Sequence, residues 1–253
     1  RILIAINQSR VLYDFKRELV DALLARGHEV LLSFEEDFRA EHFRRTAARV
    51  VPTPIDPRGM DPRRDLKLSR FYKKLVKSER PDCVLTFTIK PNVYCGPVCA
   101  RLGVPYLATI SGLGVSMNGS RLVRALATFL YRRGLRGATS VFCQNSSIAE
   151  QIVALGVARA EQIVPVAGSG VDLDRFVALP YPDEASRTTI LFIGRLMRDK
   201  GIVELIDCAR AIRTTRPDVV FQAIGASERG CPEDRLVAEA SEQGVIEYLG
   251  YQQ

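Results

Sequence analysis

The sequence predicts an α/β protein with two doubly wound parallel-sheet domains, the second incomplete. Three observations point there. Short apolar runs alternate with stretches whose apolar residues recur at helical spacing. Residues 2–34 already read as strand, helix, strand, which implies parallel pairing, since the helix supplies the crossover. The alternation then breaks at a polar, proline-bearing stretch, LPYPDEASRT at 179–188, and begins again.

The elements follow in order. ILIAIN (2–7) has strand length. LYDFKRELVDALLARG follows as a helix, with Phe15, Leu19, Ala22 and Leu23 at its spacing and Gly27 as its stop. HEVLLSF (28–34) is the next strand. Pro52, Pro54, Pro57 and Pro62 mark a long loop. Residues 65–79 read as a helix, DCVLTFT (82–88) as a buried strand and VPYLATI (104–110) as another. A helix over 120–136, a strand ATSVFCQN (138–145), a short helix over 146–155 and a strand EQIVPV (161–166) complete the first domain. Beyond the linker come a strand TILFIG, a helix over 199–213, a strand DVVFQAIG, a helix over 232–243 and a strand VIEYLGY. The expected domains are 1–178 and 189–253, joined by the linker 179–188. The second is short for a doubly wound domain, which usually needs about 150 residues. It ends on a strand without a closing helix, so the chain is expected to be cut short.

Composition narrows the class. The chain has 253 residues, 47% of them apolar and 26% charged, as in ordinary folded proteins. No apolar run reaches 18 residues, so no spanning helix is expected, and no signal peptide is visible. The net charge of +7 is either a solvated basic surface or the mark of an anionic partner. A nucleic acid is not the expected partner, because neither an RNA-binding aromatic motif nor a helix-turn-helix is evident. Six cysteines, at 83, 95, 99, 143, 208 and 231, include no CxxC pair. They are expected to be reduced, buried thiols of a cytoplasmic protein, and no cluster has metal-ligand spacing.

Ligands of open α/β sheets bind at the carboxyl ends of strands. Three stretches fall there. INQSR follows the first strand without the GxGxxG of a dinucleotide site. Its Asn7, Gln8 and Ser9 either bind a polar ligand or cap the following helix. TISGLGVSMNGS (109–120) carries Gly112, Gly114 and Gly119, either to let backbone approach a ligand or to make a flexible turn. FIGRLMRDKG (192–201) places Arg195 and Lys200 ahead of a helix whose free N–H groups already favour anions. Arginine grips a phosphate with two donors and lysine acts as a point charge, so the pair suits a diphosphate. A solvated basic turn is the alternative. GxxxxGK[ST] is absent, which excludes a P-loop.

At this point a family resemblance appears. ILFIGRLMRDKGIVELIDCARAI resembles the core motif of family-four retaining glycosyltransferases, which have the GT-B fold. GSGVDLDRF (168–176) resembles the glycine-valine-aspartate turn that precedes their second domain. FTIKPNVYCG (87–96) and TISGLG (109–114) resemble a branch that extends undecaprenyl-diphosphate-linked sugars in bacterial glycan assembly. That branch includes the N-acetylgalactosaminyltransferase acting on lipid-linked diacetylbacillosamine. The resemblance implies two Rossmann-like domains with the active site between them, the second holding a UDP-sugar donor and the first presenting a lipid-linked acceptor. Arg195 and Lys200 match the pair that binds the donor diphosphate and stabilises the leaving nucleoside diphosphate. Gly194, Asn7, Ser111, Gly112, Gly114, Lys90, Asn92 and Gly170 are the expected substrate-binding positions. Configuration at the anomeric carbon would be retained, and no metal cofactor is expected. The family also carries a glutamate pair seven residues apart, later in the second domain than this chain extends. EDRLVAEASE (233–242) lies too early for it and is expected to be a surface helix, so the nucleotide pocket is expected to be incomplete and this polypeptide weak or inactive.

Membrane contact follows from the basic residues. Lys67, Arg70, Lys74 and Lys77 share one face of the 65–79 helix, and Arg121, Arg124, Arg132, Arg133 and Arg136 decorate the 120–136 helix. Such helices attract anionic leaflets, or are core helices with a solvated basic side. With a lipid-linked acceptor, the expectation is peripheral binding at the inner face of the plasma membrane. The competing readings are a non-catalytic half-enzyme or nucleotide-sugar-binding module that needs a partner, and a UDP-sugar epimerase.

Overall fold

The structure is a computed structural model, which describes residues 1–57, 59, 61–112, 120–180, 187–226 and 231–252. The chain divides into two compact units, Arg1–Phe176 and Val177–Gln253. The sequence placed this boundary at 178, and residues 181–186 of the expected linker lie outside the described residues.

The first unit runs β1 (Ile2–Gln8), α1 (Ser9–Ala25), β2 (Val30–Glu35), α2 (Ala40–Arg44), β3 (Arg49–Pro52), α3 (Pro62–Glu79), β4 (Cys83–Phe87), α4 (Ile89–Tyr94), α5 (Gly96–Leu102), β5 (Tyr106–Ile110), α6 (Arg121–Leu135), β6 (Ser140–Cys143), α7 (Ser146–Ala154) and β7 (Ile163–Pro165). Its seven strands form one parallel sheet in the order β3-β2-β1-β4-β5-β6-β7. The order reverses between β1 and β4, and the carboxyl ends of the strands at such a reversal are where open α/β sheets bind their ligands. Alternation along β1 divides the core between the two sheet faces. Ile4 and Ile6 pack with Leu12 and Val20 of α1 and Phe43 of α2. Leu3 and Ala5 pack in a second cluster with Leu68, Tyr72 and Val76 of α3, Val98 of α5, Tyr131 of α6 and Ile152 of α7.

Four local expectations are corrected. The buried positions of α1 include Leu12 and Val20, with Leu19 and Leu23 partly buried, whereas Phe15 and Ala22 are exposed. Pro62 does not belong to the loop. It opens α3, where a missing N–H costs nothing, and Asp61 caps the helix by accepting from the Arg63 N–H at 2.9 Å. The sequence assigned no element between residue 34 and Pro52, where the structure has α2 and β3. The stretch between β4 and β5 folds as two short helices, which Pro91, Gly96 and Pro97 obscured. Pro91 sits in the first turn of α4, where backbone N–H groups lack helical partners anyway.

The second unit contains β8 (Thr188–Ile193), α8 (Ile202–Ile212), β9 (Val219–Ile224), α9 (Glu233–Glu242) and β10 (Glu247–Tyr248). Its parallel sheet has the order β10-β9-β8. Leu196, Ile202, Ile206, Phe221, Ala223, Val237 and Ile246 form its core. β8 pairs with β9 along one edge and has no described partner along the other. Ile190, Leu191 and Ile193 of β8 are exposed. Among the described residues, no helix is long and apolar enough to cross a membrane.

Candidate functional site

In the first unit the site is built around the reversal of strand order. Asn7 follows the buried run of β1, and its backbone N–H donates to Thr88 Oγ1 at 3.2 Å, just beyond β4. Thr88 has φ 66° and ψ 170°, a region almost reserved for glycine, which costs about 1–3 kcal/mol in a β-branched residue. One helical turn on, Asn92 is 1% exposed, and its amide donates to the Thr109 carbonyl at 3.0 Å. The side-chain oxygens of Asn7 and Asn92 are both buried and without a hydrogen-bond partner. Each such acceptor costs about 1–3 kcal/mol until a donor reaches it. Ser111 and Gly112 lie just past the end of β5, and both are exposed. Gly114 and Gly119 lie outside the described residues.

Helix capping by INQSR is corrected. Gln8 is the N-cap of α1 and makes no side-chain cap bond. The cap comes from Asp37, beyond β2, which accepts from the Arg10 N–H at 3.0 Å and from the Ser9 hydroxyl at 2.5 Å. The anion-seeking end of α1 therefore already faces a carboxylate. The sequence reading missed Asp37 because it is 27 residues from Arg10 in the chain.

Lys90 is buried against α3. Its ammonium donates to Asp65 at 2.7 Å, and the Tyr94 hydroxyl donates to the other Asp65 oxygen at 2.6 Å. Burial, and next the hydrogen bond to Asp65, push the Tyr94 pKa well above the ordinary tyrosine value. Gly170 has φ 78° and sits in an exposed turn. That turn is tied down at Ser169, which accepts from Gln144 at 2.8 Å and from Lys16 at 3.2 Å. Asp172 accepts from Arg17 at 3.4 Å. Burial lowers the Lys16 pKa. Sequence reading singled out neither Lys16 nor Gln144, and no local pattern marks them.

In the second unit the chain leaves β8 at Gly194, whose N–H donates to the Ile224 carbonyl at 3.1 Å. Arg195 follows and is exposed. Leu196 then turns into the core, anchoring the loop. Arg198–Lys200 form one turn of 3-10 helix, and Gly201, at φ 86°, is the N-cap of α8. Among the described residues no side chain caps that end, and Glu204 lies in its first turn. Lys200 and Arg195 thus precede a helix N-terminus whose first N–H groups no side chain among the described residues takes up. Gly225 is the residue that sequence reading missed. A side chain there would overlap the Gly194 carbonyl, so only glycine lets the ends of β8 and β9 approach this closely. Behind the loop, Glu233 of α9 accepts from Cys231 at 2.8 Å and faces Arg198 at 3.7 Å. The surface helix expected over 233–242 therefore buries one side, through Glu233, Val237 and Ala240.

The expectation of buried thiols holds for Cys95, Cys99 and Cys143. Cys208 is exposed, and Cys83 and Cys231 are half-buried. On α3 the predicted membrane residues Lys67, Arg70, Lys74 and Lys77 are exposed, and on α6 Arg121 and Arg124 are exposed as well.

A doubly wound sheet with polar side chains at its strand-order reversal, followed by a second parallel sheet with a cationic loop, has the architecture of a GT-B protein. Residues 15–169 match the family described as glycosyl transferase 4-like domain, and the chain belongs to that family. No curated protein matches. Among solved structures, Anabaena Alr3699/HepE in complex with UDP and glucose is similar with a TM-score of 0.71 and 17% identity, over 100% of this chain and 70% of that one. A glycosyltransferase from Rickettsia africae ESF-5 follows at a TM-score of 0.70 and 15% identity, over 100% of this chain and 68% of that one. UDP-GlcNAc 2-epimerase from Neisseria meningitidis bound to UDP-GlcNAc shares the fold at a TM-score of 0.61 and 12% identity, over 100% of this chain and 72% of that one. At these identities the structures show the fold, and the family match makes the protein a glycosyltransferase.

Proposed function

We propose that this protein transfers a hexose or N-acetylhexosamine from a UDP-sugar to a polyprenyl-diphosphate-linked glycan in bacterial surface glycan assembly. The reading places it in the branch acting on lipid-linked sugars, with retention of configuration and without a metal cofactor. The observation that carries it is Arg195 and Lys200 ahead of the α8 N-terminus, which no side chain among the described residues caps. When the bond from the anomeric carbon to the diphosphate breaks, negative charge develops on the diphosphate. Cations and N–H dipoles already oriented there lower the barrier without reorganising. Two similar structures were solved with UDP or UDP-glucose, which supports a UDP donor here.

The unpaired acceptors of Asn7 and Asn92 support acceptor recognition in the first unit, because sugar hydroxyls are the donors such oxygens lack. Ser111, Gly112 and Gly170, exposed beside strand ends, complete that reading. Lys90 contributes through Asp65 rather than as a solvent-facing cation. The exposed basic residues of α3 and α6 support a position at the inner face of the plasma membrane, where a lipid-linked acceptor resides.

Calorimetric titration with UDP, with and without magnesium, tests the donor site. Binding is expected without magnesium and weakened at least about tenfold by Arg195→Ala or Lys200→Ala, as loss of a charge-assisted hydrogen bond implies. UDP affinity unchanged in both variants overturns the diphosphate role.

A further inference from the structure

We infer that α6 is the element that enters the lipid surface, with Leu122, Leu126 and Phe129 among the acyl chains and its arginines at headgroup level. The inference deepens the membrane reading above and rests on it for the partner.

Exposure carries the argument. Of α6, only Tyr131, Gly134 and Leu135, near its end, are buried. Towards its start, Leu122 is 83% exposed, Leu126 59% and Phe129 60%, and Val123 beside them is exposed too. Spacings of four and three residues put Leu122, Leu126 and Phe129 on one stripe. Single exposed apolar side chains are normal, but a contiguous stripe marks an interaction site.

Charge selects the partner. Residues 120–138 contain Arg121, Arg124, Arg132, Arg133 and Arg136, and no aspartate or glutamate. Arg132 is partly engaged with the Leu155 carbonyl, and the other four are exposed. A two-fold contact between copies of this face would set arginine against arginine, which disfavours a second copy. An anionic leaflet instead meets both features, pairing with the arginines and accepting the stripe. At 1.5 Å per residue, α6 is roughly 22 Å long, too short to span a hydrocarbon core of about 30 Å, so it lies in the interface plane.

α3 acts differently. Its Leu68, Tyr72, Leu75 and Val76 are buried in the core, so its exposed cations attract the surface but its apolar face has nothing to insert.

The sequence contains no tryptophan, so Phe129→Trp introduces a single fluorescent reporter. The variant is mixed with vesicles of phosphatidylcholine alone, and with vesicles of equal parts phosphatidylcholine and phosphatidylglycerol, some carrying brominated acyl chains. With the anionic vesicles, blue-shifted emission and bromine quenching of the reporter are expected. A triple variant, Leu122→Ser with Leu126→Ser and Phe129→Ser, should weaken co-sedimentation at least about tenfold and leave the circular dichroism spectrum unchanged, since three apolar side chains no longer insert. Replacing Lys67 and Lys74 by Gln should weaken binding while leaving quenching per bound molecule unchanged. A bound protein whose reporter is unquenched overturns the α6 assignment and leaves the membrane reading standing. No binding to either vesicle overturns both. A dimer in sedimentation that the triple variant converts to monomer, with no vesicle binding, assigns the stripe to self-association and also overturns the inference.

Discussion

Gly225 shows how one residue shapes the cationic loop from a distance. Its backbone lies against the Gly194 carbonyl, directly before Arg195, and any side chain would force the two strand ends apart. Gly225→Ala is expected to cost about 1–3 kcal/mol of stability, as overpacking of close backbone does. If Arg195 holds the donor, the substitution should also weaken UDP binding at least about tenfold, because a small misplacement of a charge-assisted contact is felt strongly. Calorimetry and thermal melting read the two effects. Asp65 is the comparable residue in the first unit. It holds the Lys90 ammonium and the Tyr94 hydroxyl, with the Asp65 and Lys90 side chains only 14% and 11% exposed. Asp65→Ala leaves that ammonium buried and unpaired, a loss of about 3–5 kcal/mol. Tyr94→Phe removes one hydrogen bond and should cost about 1 kcal/mol. Urea denaturation of the two variants should therefore separate them clearly, with Asp65→Ala the more damaging.

Helices α4, α5 and α6 meet through glycine. A methyl group on Gly134 would lie 2.6 Å from the Asn92 carbonyl, and one on Gly96 would overlap the Gly134 carbonyl. This contact seats α4, and with it Asn92, at the strand-order reversal. Gly134→Ala is therefore expected to destabilise the protein by about 1–3 kcal/mol, measured by urea denaturation. A neutral outcome would mean that α4 and α6 separate at little cost. At the same scale, α1 and α8 differ in a way that bears on chemistry. Both follow the first strand of their sheets, yet Asp37 caps α1 and, among the described residues, no side chain caps α8. At the first helix the carboxylate comes from outside the helix, and at the second the acidic residue is Glu204 of the helix's own first turn.

Each of the two units has core residues of its own. Among the described residues, the two clusters of the first unit draw on residues up to Ile163, and the third on residues from Phe192 to Ile246. Residues 1–176 are therefore expected to fold cooperatively when expressed alone, with a single unfolding transition by calorimetry. In the whole chain, UDP should raise the transition of the second unit and leave that of the first unmoved. A shift of both together would show that the units unfold as one.

Much of this organisation was legible in the sequence. Strand and helix periodicity is local, so the alternation, the parallel sheets and the strand–loop–helix setting of Arg195 and Lys200 could be read from neighbouring residues. Short elements escaped, because α2, β3, α4 and α5 carry too few residues to show a period, and Pro91 and Gly96 disguise two of them. Only the tertiary structure decided the rest. It buried Leu12 and Val20 while leaving Phe15 exposed, and paired Lys90 with Asp65. It capped α1 with Asp37, set Gly225 on Gly194 and left the α6 stripe uncovered. Each of these depends on which segments a crossover brings together, and contacts between residues far apart in the chain leave no mark on the pattern around either one.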